Sequence, residues 1–597
     1  MKRISLKAVV FLLIINFLPL LNIQPQDKDI WFTTILKEQF KDKNGNPLTG
    51  KGVVIGDVDS GIDIFNPMFF FADGGEYDWI DVNKDGKFTP GIDAVLIDGK
   101  QVPLNYIEMK DNTASYLHPA YLRHTQGIYT PDLDFLYADM NSNGKRDYGE
   151  SAGFTEQTPT YGEQVFIAID ANHNNKLDPG EKIVALKTSK VRVIREKTGV
   201  IRRRGIDLIK TNIEGVDHGT GVCGIILGGH YGVQKIHGFA PDAEIVMAQV
   251  NYDYTPRFVR NFPELINFIK SENVNIMLYE DGEWSWEYMD GSTEEEQLAD
   301  DLARSGITVI GAGGNLATGE MHILDTLSSG QSREYKIKCP AKVTDKKNDG
   351  AFVQYLWKGD DKKLSFVVKT PDNMSSDELT DGSGFITVGK YHIFYSKEES
   401  SRGTNMFKFG FSEKDSNAVT GNWSITVKTD KDVILNGFLV DISQSWAYIS
   451  KWDSNKLSDI STLTFPSTGD SIIIIGAYAV NTAWGEKVGD LCTYSGVGPP
   501  FSKNPGVIIC APGHTTFTTG LDFSYQQFSG TSSAAPHAVG VAALLLQYNP
   551  NLTHSDIKQI FINSASADNF TGTIPNDRWG YGKLNPEGAI KYAMQNY

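Results

Sequence analysis

Residues 528–537 read Phe-Ser-Gly-Thr-Ser-Ser-Ala-Ala-Pro-His and run into an apolar stretch, 534–546, that predicts a buried helix. The fold must bury that helix on every side and still leave its first turn reachable. Gly530 admits the close approach of another backbone segment, and Ser532 stands at the helix start. Unpaired N–H groups and a partial positive charge gather there. An oxyanion forming beside Ser532 would be stabilised by them. A serine hydroxyl alone is a weak nucleophile, so a base and an acid that orients it must lie elsewhere in the chain.

Three other segments supply such groups. Residues 53–58 predict a short buried strand that delivers Asp59 at its C-terminal end, followed by Ser60 and Gly61. Asp217-His218-Gly219-Thr220-Gly221 places His218 at the mouth of a helix rich in small residues. Residues 307–312 predict a strand that enters the turn Gly313-Gly314-Asn315. Asp-Ser-Gly alone says little, His-Gly-Thr-Gly says more, and the serine run is specific.

With these four contexts in the order Asp, His, Asn, Ser, the chain resembles the subtilisin-like serine peptidases, the subtilases. The matching core covers roughly 51–75, 205–325 and 460–597. Residues 506–513 and 578–585 resemble the strand before that family's serine and its closing segment. The resemblance implies an α/β fold: a mostly parallel sheet flanked by helices. It implies peptide-bond hydrolysis through an acyl-enzyme, with Ser532 as nucleophile, His218 as base, Asp59 as its orienting acid and Asn315 as an oxyanion donor. It also implies peptide or protein substrates, and no oligomeric state. One departure stands out. Asp57 lies two residues before Asp59, so both point to one face of a strand, where relatives carry an apolar residue. Asp57 as a protonated acid, a salt-bridge partner or a cation ligand all stay open here.

The interval between Asp59 and His218 is long and holds a thrice-repeated acidic signature. Asp139, Asn141, Asn143, Asp147 and Glu150, with the Lys145 carbonyl and Gly144 at the turn, fit a twelve-residue calcium loop. Asp170, Asn172, Asn174, Asp178 and Glu181, with the Lys176 carbonyl, fit again, and Asn175 takes the turn position. Asp81, Asn83 and Asp85 open a third, but Ile92 falls where the bidentate acid belongs and Asp93 follows as its substitute. The expectation is structural Ca2+, in isolated loops within an insertion at 75–205. A basic run ends the insertion: Lys187, Lys190, Arg192, Arg195, Lys197, Arg202, Arg203 and Arg204. It predicts a solvated hairpin turning at Lys197-Thr198-Gly199, and Arg202-Arg203-Arg204 also fits a processing site.

A second insertion, 330–458, alternates apolar and polar residues in short runs such as 352–357, 364–368 and 423–427, and predicts an antiparallel β-sandwich or jelly roll. The resulting division is 1–24 signal peptide, 25–50 extension, 51–325 first part of the core, 330–458 sandwich and 460–597 second part of the core. The loop 280–288 interleaves acids with aromatics. It reads either as a cleft wall favouring basic or bulky substrate side chains or as a solvated loop with a packed tryptophan.

Composition narrows the rest. There are 56 Lys and Arg against 73 Asp and Glu, a net charge of −17 that disfavours nucleic acid. A basic start followed by apolar residues 8–21 predicts a secretory signal peptide, hence a secreted, periplasmic or extracellular protein with no stable membrane span after cleavage. The extension at 25–50 is too short for the folding propeptide common in secreted relatives. Four cysteines are too few for a disulfide scaffold; a Cys492–Cys510 bridge and buried free thiols both stay open. The alternatives to a peptidase are a catalytically silent binding or regulatory protein of the same fold, and a calcium-dependent adhesive or carbohydrate-binding protein.

Overall fold

The computed structural model describes residues 40–111, 126–250, 261–282, 284, 286–343, 346–359, 362–413, 419–441, 450–480 and 487–597. The expected signal peptide and most of the extension lie outside these residues. Among the described residues no helix is long and apolar enough to cross a membrane.

The centre is an eight-stranded sheet. Its strands in chain order are β1 (Val54–Asp59), β2 (Val191–Arg195), β3 (Ile201–Arg203), β4 (Glu244–Gln249), β5 (Ile276–Tyr279), β6 (Thr308–Ala312), β7 (Ile473–Ala479) and β8 (Val507–His514). In space they run β3-β2-β4-β1-β5-β6-β7-β8. All neighbours are parallel except the β3 edge, which pairs antiparallel with β2 as the expected hairpin. Parallel strands covered on both faces read as continuous apolar runs, as in the fully buried Ile-Ile-Ile-Gly-Ala-Tyr-Ala of β7.

Strand alternation divides the core into two layers. Ile55, Ile276, Leu278, Ile310 and Ile475 face one apolar cluster, which contains helices α1 (Asp217–Leu227) and α4 (Thr531–Tyr548). Val54, Val58, Met277, Tyr279 and Ile474 face the other, with α2 (Phe262–Ser271) and α3 (Glu294–Arg304). Helix α4 is buried from Thr531 to Leu546, as a helix apolar all round must be. Asp57 and Asp59 share the parity of Ile55, so both point toward α1 and α4.

The first insertion closes on itself, which its sequence did not announce. Glu76–Ile80, Ala94–Ile97, Lys100–Ile107, Phe135–Ala138, Val165–Ala168 and Lys182–Ala185 form a closed barrel. It is filled by Trp79, Val95, Leu104, Leu136, Phe166 and Ile183. Several of its strands are only four residues long, and Phe135–Ala138 and Val165–Ala168 are buried throughout. They show no alternation to read.

The second insertion contains a six-stranded and a four-stranded antiparallel sheet that share one apolar cluster, including Tyr355, Phe366, Phe407 and Trp423. The first of its strands, His322–Leu327, begins before residue 330. Trp284 and Trp286 join it to the core. Trp284 is buried and donates to the Thr462 carbonyl at 3.0 Å. Trp286 donates to the Phe409 carbonyl at 3.3 Å and packs on Phe352 and Phe394. For these two side chains the packed reading of loop 280–288 holds.

The basic hairpin is solvent-exposed at its turn, 197–201, as expected, but most of its arginines are ion-paired. Arg195 pairs with Glu264, Arg202 with Glu196 and Asp207, Arg203 with Glu272, and Arg204 with Glu244. Lys190 is fully buried and donates to the carbonyls of Met68, Leu227 and Gly229 at 3.1, 2.8 and 2.6 Å. Three acceptors match the three donors of an ammonium, although burial pulls its pKa down to about 7. All four cysteines are buried free thiols.

Candidate active site

The carboxyl ends of β1, β5 and β6 converge with the N-termini of α1 and α4, the place where open α/β sheets carry their sites. Asp59 closes β1 with its side chain fully buried. His218, the second residue of α1, brings Nδ1 to 2.8 and 2.9 Å from the two Asp59 oxygens. The Ser60 N–H also donates to Asp59 Oδ1, and the Ser60 hydroxyl accepts from the Gly219 N–H at 2.9 Å. The glycine after the histidine is required: a Cβ on Gly219 would lie 2.2 Å from the Gly61 carbonyl oxygen. Burial pulls the His218 pKa down, but the charge and hydrogen bond of Asp59 outweigh it, and the net shift is upward.

Ser532 is the second residue of α4 and is buried. Helices α1 and α4 pack directly on each other. Phe528, four residues before the serine, sets its ring edge-on to His218 at 5.2 Å. The Asn315 amide can be oriented from its partners. Its Oδ1 accepts from the Thr531 N–H at 2.8 Å and from the Thr531 hydroxyl at 3.1 Å. A backbone N–H can only donate, so the amide nitrogen must turn the other way. The Asn315 amide lies beside the bare Cα of Gly530. A Cβ there would lie 3.3 Å from Asn315 Nδ2, 3.5 Å from Asn315 Oδ1 and 3.6 Å from the Ser532 nitrogen. Gly530, at φ 120°, leaves open a space bordered by the Asn315 amide and the Ser532 backbone.

Two more acids stand on this face. Asp57 is fully buried, and its Oδ1 has no hydrogen-bond partner; the Cys223 Sγ lies 4.0 Å from its Oδ2. Burial, reinforced by the charge of Asp59, raises the Asp57 pKa well above the carboxylate range. Glu280 follows β5, 8% exposed; neither carboxyl oxygen has a close hydrogen-bond partner, and the Ser532 hydroxyl is the polar side-chain group that stands beside it. Its sequence setting, at the head of an acidic loop, gave no sign of burial.

The three acidic loops lie at strand ends of the barrel, each closing a hairpin, and they share one bonding pattern. The first aspartate, Asp81, Asp139 or Asp170, accepts the N–H groups four and five residues on. The sixth residue, Gly86, Gly144 or Asn175, is left-handed, at φ 76°, 73° and 60°. An acid at the return strand then accepts from the second and ninth residues. This acid is Asp93 in the first loop, bonded to the Val82 and Thr89 N–H groups at 2.9 and 2.6 Å. In the third it is Glu181, bonded to those of Ala171 and Asp178, both at 2.8 Å.

In the second loop the acid is not Glu150. Glu150 turns outward, 3.7 Å from Lys210. Glu163 takes the position instead, bonded to the Met140 and Asp147 N–H groups at 2.7 and 3.0 Å. A bridge between Tyr148 and Gly162 pinches off the intervening excursion, so Glu163 follows Asp147 in space though not in sequence.

Carboxylate, amide and peptide oxygens are the donors a hard cation takes, and the side chains at loop positions three, five and nine converge. The amide N–H groups of Asn141 and Asn143 donate to Asp147 Oδ2 at 2.7 and 2.8 Å, and those of Asn172 and Asn174 to Asp178 Oδ2 at 2.7 and 2.6 Å. Among the described residues, no three Asp, Glu, His or Cys side chains cluster as a metal site.

The sequence model of the Subtilase family matches residues 50–582. The serine protease AprX of Bacillus subtilis is 29% identical over 150 residues, 23% of this chain and 33% of AprX. A calcium-dependent protease of Trichormus variabilis is 33% identical over 94 residues, 15% of this chain and 14% of that protein. The matches therefore span a third or less of these relatives. Among solved structures, the Clostridium perfringens CspB protease superposes with a TM-score of 0.62 at 16% identity, covering 95% of this chain and 97% of its own. That likeness shows a common fold.

Proposed function

Since this chain belongs to the subtilase family, we propose that it is a serine endopeptidase working through Asp59, His218, Ser532 and Asn315. Ser532 Oγ attacks the scissile carbonyl while His218 takes its proton. Asp59 holds the imidazole in the tautomer that accepts at the far nitrogen and stabilises the imidazolium. The tetrahedral oxyanion enters the space above Gly530, where Asn315 Nδ2 and the Ser532 N–H donate to it. His218 then protonates the leaving amine, and the acyl-enzyme is hydrolysed by the reverse sequence with water as nucleophile. The observation that carries this reading is the contact of both Asp59 oxygens with His218 Nδ1. An active-site serine phosphonate tests it: the native protein is labelled and Ser532→Ala is not. Unlabelled native protein would sink the assignment and favour a silent member of the fold.

We further propose that the barrel loops bind structural calcium, through Asp139, Asn141, Asn143, Asp147 and Glu163, through Asp170, Asn172, Asn174, Asp178 and Glu181, and through Asp81, Asn83, Asp85 and Asp93, with the Lys145 and Lys176 carbonyls. Glu163 and Asp93 replace the acids expected from spacing. A relative's name, calcium-dependent protease, supports this reading. Residues 1–24 as a signal peptide and 322–458 as an inserted sandwich, its start moved back from 330 by the strand His322–Leu327, complete the proposal, with secreted or periplasmic action on peptide or protein substrates.

A further inference from the structure

Continuing the pairing of Val58 with Tyr279 by one residue puts Glu280 level with Asp59 across the β1–β5 ladder. Glu280 has the parity of Leu278, which faces the α1–α4 layer. It therefore joins Asp57 and Asp59 on one dry face. The groups around its carboxyl are Asp57 and Asp59 from β1, Cys223 from α1 and the Ser532 side chain from α4. The proposed mechanism uses only one of the three acids.

We propose that Glu280 is a positioning residue of the hydrolytic site, seated beside Ser532 and level with Asp59, so that its carboxyl governs where the serine hydroxyl and the triad's negative charge lie. The inference rests on Ser532 being the nucleophile. Three carboxylates cannot share a water-free face, since like charges there resist joint ionisation. Asp59 has two close N–H donors, from His218 and Ser60, whereas Asp57 has a single backbone contact, with Val58. Asp57 Oδ1 and both Glu280 oxygens have no close hydrogen-bond partner, so the protons stay on Asp57 and Glu280, and the charge stays opposite His218. Burial and the two neighbouring aspartates push Glu280 in that same direction. Losing the Glu280 proton to solvent would have two effects. It would set a second negative charge beside the forming oxyanion. It would also create a carboxylate acceptor that competes with His218 for the Ser532 hydroxyl.

Glutamine copies the shape and hydrogen-bonding capacity of the neutral acid but never ionises; alanine removes both. The test follows peptide hydrolysis by the full chain across neutral to alkaline pH for the native protein, Glu280→Gln and Glu280→Ala, with Ser532→Ala as background. In Glu280→Ala, kcat should fall by about a hundredfold, the cost of a misplaced reacting group, with KM little changed. Glu280→Gln should recover most of that loss, and its alkaline limb should move up by about one pH unit or more. A native-like kcat in Glu280→Ala overturns the proposal, and so does a Glu280→Gln profile superimposable on the native one. Should alanine prevent folding, the glutamine profile still decides. If the native protein shows no hydrolysis above the Ser532→Ala background, the peptidase reading itself falls and takes this inference with it.

Discussion

At the scale of single residues, the site depends on how two side chains are oriented. Asn315 is held by Thr531, which in the proposed mechanism fixes its amide nitrogen before charge develops. Asn315→Ala should lower kcat on the order of a hundred- to a thousandfold with KM nearly constant, the loss seen for the equivalent donor in subtilisin. A steady-state comparison on one peptide substrate checks it. The second orientation is that of His218. Its pKa lies above the ordinary 6.5 because Asp59 overcomes burial, so the imidazole becomes a free base only at a pH above that value. Asp59→Asn leaves burial opposed only by the weaker pull of Asp217 and Asp281. The acid limb of kcat/KM should then move to lower pH, while kcat falls by roughly ten-thousandfold. The shift of the limb separates lost charge from mere misfolding. The pair also stabilises the fold below pH 6.5, and that stabilisation is lost as pH rises through the raised value. Asp59, His218, Asn315 and Ser532 were legible in the sequence because each sits among glycines or small residues that its packing demands. Glu280 was not, because only the register of β5 against β1 takes it out of water.

At the scale of elements, the acidic loops show what spacing can and cannot tell. Their first nine residues followed the calcium-loop pattern closely, because turn chemistry is local: an aspartate accepting two N–H groups and a left-handed sixth residue. The closing acid is not local. It stands at the start of the return strand, so an excursion within the second loop moved it from Glu150 to Glu163. Removing Glu163, which is itself buried, takes the charged acceptor from two part-buried backbone N–H groups, which costs about 1–3 kcal/mol. Glu150→Ala should be nearly neutral, within about 0.5 kcal/mol. Paired denaturant melts of Glu163→Ala and Glu150→Ala, run in chelator so that no metal term enters, would discriminate. Equal stabilities would return the closing position to Glu150. The barrel escaped the sequence for a related reason. Two of its strands, Phe135–Ala138 and Val165–Ala168, are four residues long and buried throughout, so they carry neither alternation nor length.

At the scale of the whole molecule, the barrel is tied to the segment that leaves the active site. Arg146, within the second acidic loop, is buried and donates to the carbonyls of Phe65, Thr160 and Glu163 at 3.2, 2.7 and 3.3 Å. Tyr148 sets its ring 5.1 Å from Phe65. Phe65 lies six residues beyond Asp59, on the stretch where Asp63 accepts the Phe65 N–H and donates its own N–H to Thr220 of α1. Whatever stiffens the loop therefore stiffens the connection between β1 and the helix that carries His218. A cation bound only by the folded loop adds stability by mass action, about 2.7 kcal/mol at a hundredfold excess over its dissociation constant. Chelation should lower the melting temperature, and because partly opened chains are the best substrates of a peptidase, it should also hasten self-digestion. Ser532→Ala separates the two effects: its melting temperature should fall in chelator like that of the native chain, while its fragments should not appear. A melt indifferent to both chelator and added calcium would reduce the loops to turns held by their own hydrogen bonds, and would leave Arg146 to couple barrel and active site without a metal.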